Sequence, residues 1–319
     1  MNLRWKGILA LVLASCAPMA FAQDSNVLRP VADLEQRLNQ MPFEILKAVP
    51  ARGIKEDVAL KSDVRFEDGV ELRIKIRPAN FGGSEFNNEP RYELAAYVLQ
   101  KAFLDEPDMV VPPTALRAVT HSQLAPFAPA VPPTFRNAND VIVVLQYWLK
   151  EVSGPNDVWD PARFKSDPAY ARHVANLNVL TYLIGHGDSN AGNILLSTDP
   201  DNPRVFSVDN GVAFRSLKSD RGQLWRSMRV PSVPKQTVER LRTLDRARLN
   251  EVLAALGTWD VRDNHLVPLA GQAAYSGAKG VRTHDGNVQF GMTPREIADV
   301  DQRRQEILEK VANGRLGTF

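Results

Sequence analysis

The chain has 319 residues, and its 39 basic and 37 acidic side chains leave a formal net charge of +2, which excludes a general polyanion binder. Hydrophobic residues make up 44% of the chain, enough for an ordinary core, so wholesale disorder is excluded as well. Cys16 is the only cysteine, which excludes an intramolecular disulfide, a cysteine nucleophile and a cysteine zinc site in the rest of the chain.

Residues 1–22 are predicted to be an export signal. Basic residues precede a short apolar run from Ile8 to Ala14, and Ala20-Phe21-Ala22 offers the small residues that signal peptidase requires. A lipoprotein signal that ends in a lipid-anchored Cys16 is the alternative. Either signal predicts a periplasmic or secreted protein, and no other stretch is long and apolar enough to be a membrane helix.

A helix is predicted from Val31 to Met41, followed by strands at Ile45–Val49 and Asp57–Leu60. Gly53 lies between basic residues in the connection of these strands, which makes it a candidate for a tight loop that covers phosphate. A glycine in a hairpin turn is also commonplace, so Gly53 has this role only through its position.

A clear hairpin follows, and its second strand runs from Val70 to Arg77. The strand alternates strictly between an apolar face and a charged face, so one face packs and the other meets solvent or ligand. Lys75 and Arg77 both lie on the charged face. A solvated basic edge, which protects a strand from aggregation, is the simple interpretation of this charged face.

Two further elements complete the first half of the chain. Arg91–Phe103 is predicted to be a helix, with Glu93 in its first turn, where the helix dipole favours a carboxylate. The apolar run Val141–Trp148 is typical of a buried central strand, and Gln146 and Trp148 lie at its end.

The second half contains the most informative stretch. A helix over Pro168–Gly185 leads into His186-Gly187-Asp188, and the apolar runs Ile194–Leu196 and Val205–Val208 flank a turn and predict a hairpin. The hairpin reverses the direction of the chain, so Asp209 is expected close to Asp188 and Asn193. The remaining sequence predicts a helical segment over Lys235–Leu256 with a break near Asp245, loops over 262–292, and a final helix that opens at Thr293-Pro294.

Phosphoryl transfer depends on positioning and on neutralising charge, and this convergence supplies both. Asp188 is the candidate base that accepts or orients the attacking hydroxyl. Asn193 and Asp209 are the candidate ligands for magnesium, an ion that prefers hard oxygen donors. A solvated loop of turn-forming residues is the competing interpretation.

The same residues carry a resemblance to protein-kinase-like phosphotransferases. His186-Gly187-Asp188 with Gly192-Asn193-Ile194-Leu195 resembles the catalytic loop of aminoglycoside and choline kinases. Val208-Asp209-Asn210-Gly211-Val212-Ala213-Phe214 resembles the type II phosphatidylinositol 4-kinases and the Golgi secretory-pathway kinases. The resemblance covers roughly residues 45–230, and its specific part is 186–214.

The resemblance implies an α+β fold with two lobes in one domain over residues 23–319. The small lobe, about 45–150, holds an antiparallel sheet and one key helix, and the large lobe, about 151–319, is mainly helical. Further roles are implied for residues outside the catalytic loop. Lys75 or Arg77 binds nucleotide phosphate, Glu93 holds that cation, Gly53 covers the phosphates, and adenine meets the backbone near Gln146, Tyr147 and Trp148.

The implied activity is transfer of a phosphoryl group from a nucleotide, ATP by preference, to a hydroxyl of a lipid, a protein or a small molecule, with Mg²⁺ or Mn²⁺ as cofactor. Two alternatives stay open. One is a small-molecule phosphotransferase like the aminoglycoside and choline kinases, and the other is a catalytically weak pseudokinase that acts as a binding module. Nucleic acid is not an expected partner.

Overall fold

The computed structural model describes residues 24–51, 58–84, 88–214 and 224–319. The predicted signal over 1–22, with Cys16, and the predicted loop at Gly53 lie outside these residues. Within the described ranges, no helix combines the length and the apolar character needed to cross a membrane.

The first part of the chain forms a five-stranded antiparallel sheet with three helices. In chain order the elements are α1 (Val31–Asn39), β1 (Phe43–Pro50), β2 (Leu60–Phe66), β3 (Glu71–Pro78), α2 (Pro90–Lys101), β4 (Thr114–Thr120), α3 (His121–Leu124) and β5 (Asp140–Tyr147). The strand order is β1-β2-β3-β5-β4, which makes β3 and β5 central neighbours. Alternation along β3 therefore divides its side chains between two buried faces.

Each face of this sheet has its own core. Ile74 and Ile76 pack on one face with Leu145 and Leu124. The opposite face carries Lys75 and packs against α2, through residues that include Leu94. The helix that bears Glu93 consequently lies on the same face as the lysine.

The second part of the chain is mainly helical. Its elements up to residue 253 are β6 (Val152–Ser153), α4 (Pro161–Ser166), α5 (Pro168–Ile184), β7 (Ile194–Ser197), β8 (Val205–Ser207), β9 (Ser232–Val233), α6 (Lys235–Thr243) and α7 (Arg246–Leu253). Asp167 caps the start of α5, and Gly185 ends it in the left-handed conformation, with φ 57°. This ending presents His186 at the start of the catalytic loop. The predicted break near Asp245 separates α6 from α7.

A second antiparallel sheet follows where loops are predicted over 262–292, and that prediction is wrong. The elements are β10 (Gly257–Arg262), β11 (His265–Pro268), β12 (Val281–His284), β13 (Asn287–Phe290), α8 (Pro294–Ala312) and β14 (Gly317–Thr318). Asp263-Asn264 and Asp285-Gly286 close the two hairpins with positive φ at both residues of each pair. Such pairs are the favoured two-residue hairpin turns, and the polar composition of the segment hid them.

The second sheet also contacts the first. Leu266 N–H donates to Asp140 Oδ2 at 2.6 Å, and the rings of Phe135 and Phe290 lie 6.4 Å apart. An antiparallel small lobe with one key helix stands beside a mainly helical large lobe. The two-lobed, kinase-like α+β fold predicted from the sequence is confirmed.

Candidate active site

Lys75 lies between two carboxylates where the two lobes meet, one from each lobe. Its Nζ is 2.8 Å from Glu93 Oε1 and 2.5 Å from Asp209 Oδ1. The three residues come from β3, from the first turn of α2 and from the segment after β8. Burial lowers the pKa of Lys75, but the charges of Asp209 and Glu93 outweigh burial and raise it overall. The lysine is therefore a permanent cation.

Glu93 links this contact to the backbone beside Asp209. It is fully buried, and its second oxygen accepts a hydrogen bond from Asn210 N–H at 3.1 Å. Asp209 has a φ of 54°, in the left-handed region, and its side chain is 30% exposed. One buried carboxylate thus orients the cation and the turn that carries the second carboxylate.

Of the two cations proposed for phosphate, Lys75 makes the contacts with Glu93 and Asp209. Arg77 is buried on the same face of β3, two residues further along. Sequence alternation places both cations on one face and does not choose between them.

The catalytic loop is closed by its own hydrogen bonds. Asn193 Nδ2 donates to Asp188 O at 2.7 Å, and Asn190 Nδ2 donates to the Asp188 carboxylate at 2.7 Å. Asp188 N–H donates to His186 Nδ1 at 3.2 Å. Burial lowers the pKa of His186 to about 4, so its ring is neutral near pH 7. A neutral imidazole can accept this backbone hydrogen bond through Nδ1.

The hairpin brings the Asp209 segment against this loop. Val208 N–H donates to Asn193 O at 2.9 Å, and Gly187 N–H donates to Val212 O at 2.8 Å. These bonds span the residues before and after Asp209. The structure thus brings the loop of Asp188 and Asn193 against the Asp209 segment, and that segment in turn contacts Lys75 and Glu93.

The oxygens of Asn193 and Asp209 fit a hard divalent cation. Magnesium in phosphotransferases takes one or two carboxylates, and phosphate and water complete its shell. Within the described residues, no group of three or more His, Cys, Asp and Glu side chains could hold a metal ion.

The sequence predicts that adenine meets the backbone near Gln146, Tyr147 and Trp148, but most of these groups are already bonded within the protein. Tyr147 N–H donates to Pro113 O at 2.9 Å, and Trp148 N–H donates to Arg73 O at 3.1 Å. The side chain of Gln146 donates to Thr114 Oγ1 at 2.9 Å. Leu149 follows directly, and its N–H finds no hydrogen-bond acceptor in the described part of the chain. Leu149 is thus the first amide beyond β5 that a nucleobase could use.

Sequence reasoning missed two polar residues near these groups. Asn190 holds the Asp188 carboxylate from two residues further along the chain, a local contact that the motif itself does not single out. Lys61 lies directly opposite Lys75 on β2, and its Nζ is 4.8 Å from the centre of the Trp148 ring. The signal for Lys61 was its alternation with buried residues in β2, which becomes visible once the bounds of that strand are known.

Comparison with known proteins gives one family. The family model described as phosphatidylinositol 3- and 4-kinase matches residues 87–252, which is more than half of the chain. No curated protein matches the chain. Among solved structures, a MAP kinase, LmaMPK10 from Leishmania major, matches with 13% identity and a TM-score of 0.31. That match covers 66% of this chain and 59% of the MAP kinase. The chain thus spans less than two thirds of the length of that kinase.

Proposed function

The chain belongs to the phosphatidylinositol 3- and 4-kinase family and is a kinase-like phosphotransferase, and from this premise we propose that it transfers a phosphoryl group from ATP to a hydroxyl group with Mg²⁺ or Mn²⁺ bound. One observation carries the proposal. Lys75 is held between Glu93 and Asp209, and the backbone beside Asp209 is bonded to the loop that carries Asp188 and Asn193. This arrangement supplies a phosphate-binding cation, a base and metal ligands together.

The cation is preorganised for phosphate. Glu93 keeps the ammonium of Lys75 extended, and the second contact of Lys75, with Asp209, is a carboxylate that a metal ion would also bind. When metal and nucleotide enter, the Lys75 ammonium can turn from Asp209 to the phosphate oxygens while it keeps Glu93. Little reorganisation is needed, which is the condition for strong electrostatic stabilisation.

Asp188 orients the acceptor hydroxyl and takes its proton. Its carboxylate is held by Asn190 and its carbonyl by Asn193, so its position is fixed before the acceptor arrives. Asn193 and Asp209 would hold the divalent ion, which neutralises phosphate charge when it is bound. Leu149 N–H would receive the nucleobase, next to Trp148.

The acceptor is the open part of the proposal. The family favours a lipid hydroxyl, and the resemblance of residues 208–214 to lipid and Golgi kinases favours a lipid or a protein. A small molecule is the alternative, supported by the aminoglycoside-kinase-like His186-Gly187-Asp188. We also propose export, through the signal at 1–22 or a lipid anchor at Cys16. A bacterial periplasm is expected to hold little ATP, so export supports the second alternative, a pseudokinase that binds partners.

A thermal-shift titration tests the proposal. ATP with Mg²⁺ or Mn²⁺ should raise the melting temperature of the wild type by several degrees, because a ligand that binds only the folded state stabilises it. The Asp209→Ala variant should lose this shift, while Asp201→Ala, an exposed aspartate in the turn between β7 and β8, should keep it. A folded wild type with no shift would refute the proposal. A shift without phosphate transfer to any acceptor would favour the pseudokinase.

A further inference from the structure

The last long helix of the chain holds the start of α2. Arg91 donates two parallel hydrogen bonds to Glu296, from Nη1 to Oε2 at 2.7 Å and from Nη2 to Oε1 at 2.8 Å. The Tyr92 hydroxyl donates to Glu296 Oε1 as well. All three residues are buried, with 4–5% of their surface exposed. A bidentate arginine–carboxylate pair of this kind fixes orientation as well as distance.

Glu296 is itself immobilised by α8. Its Oε2 accepts from Thr293 N–H at 2.7 Å, and Thr293 Oγ1 accepts from Glu296 N–H at 3.2 Å, which forms a capping box. The carboxylate therefore receives four donors, one from its own helix and three from α2. Helix α2 is thus tied to a rigid helix end.

The second sheet shapes the space around Arg91. Arg91 Nη1 also donates to Gly291 O at 3.2 Å, just after β13. A Cβ atom added at Gly280 would lie 2.1 Å from Arg91 Nε, so only glycine allows the guanidinium to pass. This packing around Arg91 requires both the second sheet, over Gly257–Phe290, and α8. All of these partners of Arg91 lie beyond residue 252, where the family match ends.

The held end of α2 is the end that carries the active-site carboxylate. Glu93 directly follows Arg91 and Tyr92. Glu89 N–H donates to Gly211 O at 3.1 Å, and the Tyr92 ring lies 5.3 Å from the Phe214 ring. The same turn of helix therefore contacts α8 on one side and the segment after Asp209 on the other.

We propose that Arg91, Tyr92 and Glu296 form a clamp through which the C-terminal part of the chain, outside the family-matched region, keeps α2 where Glu93 reaches Lys75. They are positioning residues that hold the first turn of α2, which carries Glu93. The effect of the clamp on nucleotide binding rests on the proposed function, whereas its effect on α2 does not.

Hydrogen exchange without nucleotide tests the clamp directly. Glu296→Gln removes the charge and keeps the shape, and amides of residues 92–97 should then exchange about tenfold faster, because Arg91 loses its buried partner. Glu306→Gln is the matched control, since Glu306 lies on the same helix and accepts a hydrogen bond from Tyr182 of α5. Unchanged exchange in α2, or an equal rise throughout α2 and α5, would overturn the proposal.

A milder pair of variants covers the case in which Glu296→Gln does not fold. Tyr92→Phe removes one hydroxyl from the clamp, and Tyr182→Phe removes one hydroxyl from the control contact. Exchange in α2 should rise a few-fold in Tyr92→Phe alone. Equal exchange in the two variants would contradict the clamp.

A double-mutant cycle asks whether the clamp acts through Glu93. Glu296→Gln should weaken binding of ATP with Mg²⁺ about tenfold, and it should have no further effect in a Glu93→Gln background. Additive losses would mean that Glu296 does not work through Glu93 and would overturn the positioning role. A wild type that binds no nucleotide would defeat the proposed function and leave the exchange result to decide the clamp.

Discussion

Two sets of polar side chains meet at the candidate site, and different forces hold them. Lys75, Glu93 and Asp209 form a charged set whose members are 18 and 134 residues apart in the chain. The catalytic loop of Asp188, Asn190 and Asn193 is closed by hydrogen bonds over two to five residues. The charged set exists only when the whole fold has assembled, whereas the loop is largely determined by its own short sequence. The two should therefore respond differently to mutation and to pH.

The largest expected effect is on the charged set. Lys75→Met leaves the fully buried Glu93 without its cation, and we expect the free energy of unfolding to fall by about 4 kcal/mol. Urea unfolding measures this. Arg73→Met is the control on the same strand, because Arg73 pairs with Asp63 at a site where both side chains are 37% exposed, and it should cost at most about 1 kcal/mol.

A further variant shows whether charge causes the loss. Lys75→Met combined with Glu93→Leu removes both buried charges and should recover part of the stability. If Lys75→Met proves as mild as Arg73→Met, the contrast between a charged set held at long range and a locally bonded loop collapses.

A fall in pH should have an intermediate effect on stability, through the protonation of His186 in the loop. The pKa of His186 is lowered to about 4 in the folded protein by burial, against roughly 6.5 in the unfolded chain. The unfolded state therefore binds the proton more readily, and stability present above pH 6.5 is lost as the pH falls towards 4. This histidine should contribute a loss of roughly 2 kcal/mol between pH 7 and pH 5.

Urea unfolding at the two pH values measures that loss. His186→Gln should lose correspondingly less stability than the wild type over the same interval, because glutamine does not titrate. Equal losses in both proteins would show that His186 is not held neutral in the folded loop.

The smallest expected effect is on the hydrogen bond between Asn190 and Asp188, which lies within the loop. Asn190→Ala removes one hydrogen bond to the Asp188 carboxylate and should lower the free energy of unfolding by about 1 kcal/mol. Turnover should fall about tenfold at unchanged KM for nucleotide, because Asp188 is oriented less well. Asn39→Ala, which removes an exposed hydrogen bond within α1, is the control for both measurements. A rise in KM with constant turnover would assign Asn190 to nucleotide binding instead.

The same contrast explains how far the sequence could predict the structure. Local signals were sufficient for β3, α5, the β7–β8 hairpin and the final helix, since alternation, helix caps and turn residues lie within short segments. The hairpin also predicts that Asp209 returns to Asn193, and the bond from Val208 N–H to Asn193 O agrees. In these segments short-range signals were enough, although the local contact of Asn190 with Asp188 and the turns of the second sheet were missed.

Contacts between residues far apart in the chain could not be predicted from the sequence. Lys75 and Arg77 share one face of β3, and only the position of α2 decides which of them meets Glu93. The Arg91–Glu296 pair joins residues 205 apart, and no local pattern connects them. The second sheet was missed because its strands are short and its turns resemble loops in composition. The roles of the site residues stay predictions that the experiments above address.

The contact between Leu266 and Asp140 has a consequence for the release of product. The second sheet is bonded to the small lobe there, and it is continuous in sequence with α8, which packs against α5 of the large lobe. A wide opening of the cleft would have to break buried bonds on this flank. We therefore expect slow entry and slow departure of the nucleotide, with the residence time of the spent diphosphate limiting the turnover rate.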